Sequence, residues 1–153
     1  MSEVLMRGTF EIYHISKVGQ NGEVILRPLG VGAGGERRIV ILHKGARAPK
    51  WEISTRKTGA YATMKVDWYP VMIREDQTLG LCDAPGSDMW NISPAPSLPP
   101  PMADSLYTVR SVGGKAWSFP RDVSQGEEPI VLSNVASIFY FKSITSNVAA
   151  DNE

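Results

Sequence analysis

One cysteine, Cys82, is all the chain has, so no intramolecular disulfide framework forms and no Cys-rich zinc site is written into it. A lone cysteine reads as a small buried hydrophobe in a protein of a reducing, intracellular (cytoplasmic) compartment, with nothing to separate a cellular from a viral origin. Histidine is nearly as scarce. His14 and His43 both fall in strand-like segments, which assigns them to packing rather than to acid–base work or metal binding. No apolar run approaches the roughly 20 residues that cross a bilayer, the densest being Ile138-Phe139-Tyr140-Phe141, and no export signal is recognisable. A soluble protein is expected, with no membrane partner.

Catalytic and cofactor signatures are also missing. H-E-x-x-H, C-x-x-C and G-x-S-x-G do not occur, and Gly113-Gly114-Lys115 lacks the upstream glycine of a phosphate-binding loop. Gly30-Val31-Gly32-Ala33-Gly34-Gly35 matches G-x-G-x-x-G, but the strand-like Arg38-Ile39-Val40-Ile41 follows where a dinucleotide site needs a helix. It reads as a loop between strands. No catalytic residue, metal site or cofactor is assigned, and a non-enzymatic protein is expected.

What the 153 residues do contain is ordinary for one globular unit: 42% apolar, 21% charged, 14 Gly, 11 Pro and no net charge. A core of this size buries about two thirds of the surface of the unfolded chain, so no staple is required. The fold class expected is all-β, a single compact barrel or sandwich with long irregular loops over residues 1–144, followed by a polar tail at 145–153.

Alternation supplies the strands. Phe10 and Ile12 point one way and Tyr13 and Ile15 the other, and Gly19-Gln20-Asn21-Gly22 then offers a tight turn before Glu23 to Arg27. Further strands are predicted at Arg38 to His43, Trp51 to Thr55, Ala62 to Tyr69, Tyr107 to Val112 and Ala116 to Phe119. Glu127-Glu128-Pro129 has the chemistry of a helix start, yet Ile130-Val131-Leu132 and Ile138 to Phe141 favour strand, with a turn at Ser133-Asn134. The proline-rich segment 94–101 cannot lie in a central strand and reads as a rigid surface loop rather than an SH3 or WW ligand, since no basic residue flanks it. No internal repeat at a period of 20 to 50 residues is evident.

Charge is unevenly distributed. Residues 1–74 carry 12 basic and 6 acidic side chains, an excess of +6 that the remainder balances with −6. The basic excess peaks at Arg37, Arg38, Lys44, Arg47, Lys50, Arg56 and Lys57, with Trp51 among them. These eight residues are the candidate binding site for a polyanion or an acidic partner. Two functions follow. The first is a non-enzymatic interaction or structural assembly protein, a homo-oligomer or a binder of another protein, in which basic and acidic parts meet. The alternative is a single-stranded nucleic-acid-binding barrel in which Trp51 stacks on a base, unless Trp51 is core.

Overall fold

The alternation read in the sequence is what the backbone obeys. In a computed structural model, which describes residues 8–18, 24–32, 37–43, 45–55, 61–82, 88–95, 106–119 and 128–144, every regular element is a strand. They are β1 (Gly8–Val18), β2 (Val24–Val31), β3 (Ile39–Ile41), β4 (Trp51–Thr55), β5 (Tyr61–Val66), β6 (Tyr69–Ile73) and β7 (Leu79–Leu81). After these come β8 (Trp90–Pro94), β9 (Leu106–Ser111), β10 (Ala116–Ser118), β11 (Glu128–Pro129), β12 (Val131–Ser133) and β13 (Phe139–Ser143). Among the described residues no helix is long and apolar enough to cross a membrane.

Six strands close on themselves. β1 pairs with β4, β4 with β5, β5 with β8, β8 with β9, β9 with β13 and β13 with β1, all antiparallel. Closure leaves this barrel without an open sheet edge. In β5, Ala62, Met64 and Val66 enter the interior while Tyr61 and Lys65 face out, the period-2 pattern of a sheet wet on one side.

Six of the remaining seven strands form three hairpin caps, β2–β3, β6–β7 and β10–β12, each continuing from a barrel strand: β2 from β1, β6 from β5, β10 from β9; the seventh, the two-residue β11, pairs with β3. The caps also bond to one another. Leu81 N–H donates to Arg37 O at 3.1 Å, Leu132 N–H to Gln77 O at 2.8 Å, and Ile130 N–H to Ile39 O at 3.1 Å. Ile39, Leu79 and Ile130 are fully buried where the caps meet, sealing that end. Twelve of the thirteen strands thus repeat one four-strand topology three times, in β1–β4, in β5–β8 and in β9, β10, β12 and β13, a trefoil.

That symmetry corrects the expectation of no internal repeat. Trp51-Glu52-Ile53-Ser54 in β4 and Trp90-Asn91-Ile92-Ser93 in β8 hold the same place in successive units, and Phe139-Tyr140-Phe141 in β13 takes the third. Across from them the register sets Phe10 against Trp51, Ala62 against Trp90 and Tyr107 against Phe139. Trp117, projecting from β10, fills the centre, its ring 5.9 Å from Trp51, 5.4 Å from Trp90 and 5.9 Å from Phe139. The strands placed like β10 in the other units supply only Leu29 and Val71, so one large side chain does the work of three.

The predicted strands at Trp51 to Thr55 and at Ile138 to Phe141 are present, as is the hairpin pair β1 and β2, whose turn at 19–22 lies outside the described residues. The predicted strand Ala62 to Tyr69 is two strands, because Asp67 and Trp68 reverse the chain between Val66 and Tyr69. β7, of three residues, and β8, of five, lie outside the predicted strands. The tail and residues 96–101 of the proline-rich segment lie outside the described residues, but Pro94 ends β8 opposite Tyr107, so the segment starts inside a barrel strand rather than wholly in a loop.

Candidate functional site

Of the eight residues proposed from the sequence, Trp51 is corrected first. Its side chain is buried in the barrel and its indole N–H donates to Leu29 O at 3.2 Å, so it serves the core and presents no ring to a base. Arg38 pairs with Asp76, Nη2 to Oδ2 at 2.8 Å, and the Arg37 guanidinium lies 4.5 Å from the centre of the Tyr69 ring. Both therefore face the β6–β7 cap. Arg47 and Lys50 are exposed on the β3–β4 connection, while Lys44, Arg56 and Lys57 lie outside the described residues.

Other sequence readings resolve as packing. Arg27, counted in the basic half, is buried, its Nε donating to Leu42 O at 2.8 Å. Gly30 is not in a loop but in β2, where an added Cβ would stand 2.7 Å from Leu42 Cδ1 and 3.0 Å from Pro49 Cδ; close approach explains it without a ligand. His14 is buried, as expected. His43 is not: it is exposed just beyond β3, because the strand ends at Ile41. Cys82 is half-buried rather than core, at the edge of a cleft.

The residue that stands out is one the sequence did not nominate. Trp68 is 79% exposed at the tip of the β5–β6 hairpin, and it has φ 74°, following Asp67 at φ 53°. Two successive positive φ angles are those of a type I′ hairpin turn, which ordinarily recruits Asn-Gly or Asp-Gly. Asp is acceptable in that region; a bulky side chain costs about 1–2 kcal/mol there. Exposing an indole and straining its backbone both work against stability, and such a combination is retained where the side chain has something to meet.

Around it the surface is prepared. Tyr69 is the next residue, and Arg37, stacked on it, also lines an open cleft of about 600 Å³ with Met72, Ile73, Glu75, Leu81 and Cys82. The β6–β7 turn beside this cleft is held by Asp76, whose Oδ1 accepts the Thr78 hydroxyl at 2.5 Å and the Thr78 N–H at 3.2 Å. The Thr78 hydroxyl, and after it the Arg38 charge, hold the Asp76 carboxyl below the usual carboxylate range. Tip and cleft thus belong to one β5–β7 segment with a firm frame.

If Trp68 is strained and unpacked, Trp68→Gly should leave the barrel intact and raise stability by up to about 1 kcal/mol. Urea unfolding would show a higher midpoint at unchanged slope. A loss of more than about 1 kcal/mol would instead mean that the indole packs against the fold.

No protein-family model matches the sequence, and no curated protein matches it. Among the solved structures that share its architecture are these two. A proteinase inhibitor from Coprinopsis cinerea superposes with a TM-score of 0.68 at 16% identity, over 92% of this chain and 100% of its own. SeviL, in a structure with asialo-GM1 saccharide bound, superposes with a TM-score of 0.59 at 13% identity, over 90% and 98%. At such identities the likeness is one of fold, an all-β closed barrel carrying additional strands.

Proposed function

We propose that this protein is a non-enzymatic interaction protein that docks on another protein through the Asp67–Tyr69 hairpin tip. The observation that carries this reading is Trp68, exposed and held at a costly backbone angle on a rigid barrel. Tryptophan, tyrosine and arginine are the side chains that dominate protein–protein affinity, and Trp68, Tyr69 and Arg37 stand together. A convex tip cannot enclose a small ligand, so the partner supplies the concavity. Of the two fold neighbours, one is a proteinase inhibitor and the other is bound to a saccharide, which supports the reading of this barrel as a scaffold for recognition.

The nucleic-acid reading keeps the exposed Arg47 and Lys50 but loses its stacking residue to the core, and the Arg38 charge is met by Asp76. The test sets the readings against each other. Wild type and Trp68→Ala are immobilised and probed with a panel of proteinases, with asialo-GM1 saccharide and with a single-stranded oligonucleotide at low salt. Binding to a protein probe, weakened about 30-fold or more by the substitution, is expected of an interface anchor. Oligonucleotide binding indifferent to Trp68, with a log–log salt slope of about −2 to −3.5, would overturn the proposal in favour of phosphate contacts.

A further inference from the structure

We infer that the partner protein includes a second copy of this chain: the Trp68 tip of one copy enters the β6–β7 cleft of another, and the reverse, in a symmetric dimer. The inference rests on reading the hairpin tip as a docking element, and it names the occupant. Knob and cleft are contiguous on the same molecule, since Arg37 both lines the cleft and covers Tyr69 beside Trp68. A two-fold axis passing between two such features seats each tip in the facing cleft and closes the assembly at two.

Size and chemistry agree. A cleft of about 600 Å³ lies within the range of about 300–1,000 Å³ that accepts a drug-sized ligand, ample for an indole. Met72, Ile73 and Leu81 offer apolar and thioether surface to the ring, set among the charged side chains of Arg37, Arg74, Glu75 and Asp76. Lys65 flanks the tip and Glu75 the cleft, both exposed, so the tip's cation meets a carboxylate across the two-fold axis.

The interface is small. Burying two tryptophans at about 150–250 Å² each, with matching area on the clefts, removes on the order of 600–1,000 Å², below the roughly 1,200–2,000 Å² of stable complexes. The dimer is therefore a weak, transient one, populated at the upper end of the concentrations that sedimentation reaches. This differs from head-to-tail pairing of the +6 and −6 parts of the chain, which is open-ended and steeply salt-dependent.

Sedimentation velocity on the full chain from about 5 μM to 1 mM, at low and high salt, separates these outcomes. A monomer–dimer equilibrium with no larger species, changed about threefold or less by salt, is expected. Trp68→Gly should weaken it about 30-fold or more without loss of thermal stability, which a merely structural role for Trp68 would not allow. Glu75→Lys should weaken it a few-fold, and Lys65→Glu added to it should restore it. A strict monomer throughout overturns the dimer; the docking reading then stands if Trp68→Ala still loses a protein probe, and falls with it if not. Salt-sensitive larger assemblies indifferent to Trp68→Gly overturn both.

Discussion

Trp117→Ala is expected to destabilise the protein by about 3–5 kcal/mol, the cost of truncating a large aromatic at a fully packed site. Against a total stability of about 5–15 kcal/mol this is a severe loss, lowering the melting temperature by roughly 10–15 °C. The size follows from position: Trp117 meets Trp51, Trp90 and Phe139, one ring from the barrel strands of each unit, and its removal hollows the centre that all three share. A phenylalanine scan sharpens the test. Trp51→Phe gives up the bond from its indole N–H to Leu29 O, worth about 1 kcal/mol, whereas the Trp117 indole N–H has no partner among the described residues to lose. Trp51→Phe should therefore be the costlier of the two changes. Calorimetry or chemical unfolding decides, and a loss under 1 kcal/mol for Trp117→Ala would contradict the packing described.

Stability should also fall by about 3 kcal/mol between pH 6.5 and pH 4 through His14 alone. Burial, and after it the positive charge of Arg27 opposite it on β2, push the His14 imidazole down to about 4 from its usual 6.5. Phe119 lies 3.6 Å from the ring, centre to centre, and Phe139 lies 5.9 Å away on β13, so the neutral form is the one that packs. The folded state refuses the proton until about pH 4 while the unfolded chain accepts it below 6.5; the unfolded state binds more protons in that window, and stability rises with pH across it. Each pH unit of the window is worth about 1.4 kcal/mol. Carboxylates titrate in the lower part of the same range, so the measurement is a difference: urea unfolding of wild type against His14→Leu at pH 7, 5.5 and 4. The gap between the two should shift by about 3 kcal/mol in favour of the variant as pH falls, and a constant gap would rule the mechanism out.

Much of the barrel was legible because it is written at period 2. Phe10 and Ile12, Trp51 and Ile53, and Phe139 and Phe141 alternate with polar or half-buried neighbours, and all six are buried. Alternation marks a strand and its inner face, which identified the fold class and placed His14 inside. It says nothing about which strands meet, and the Trp51-Glu52-Ile53-Ser54 and Trp90-Asn91-Ile92-Ser93 repeat is only four residues long, with a third copy rewritten as Phe139-Tyr140-Phe141. Three-fold closure needs equivalent positions to be buried, not identical, so the repeat survives in space after it has nearly vanished from sequence.

The site was hidden for the opposite reason. Trp68 continues the inward phase of Ala62, Met64 and Val66, and no glycine announces the turn that takes it out of that phase. Trp51, with basic residues on both sides, invited a surface reading, yet its own strand turns it toward Trp117. Local pattern alone thus determined that the protein is all-β, where several strands run and which faces are apolar, because those follow from backbone geometry over two residues. Which tryptophan is core and which is exposed, that Arg37 reaches Tyr69 and Arg38 reaches Asp76, and that tip and cleft share a surface were decided only by the closed barrel and its caps, whose pairings join residues far apart in the chain and leave no trace in neighbouring ones.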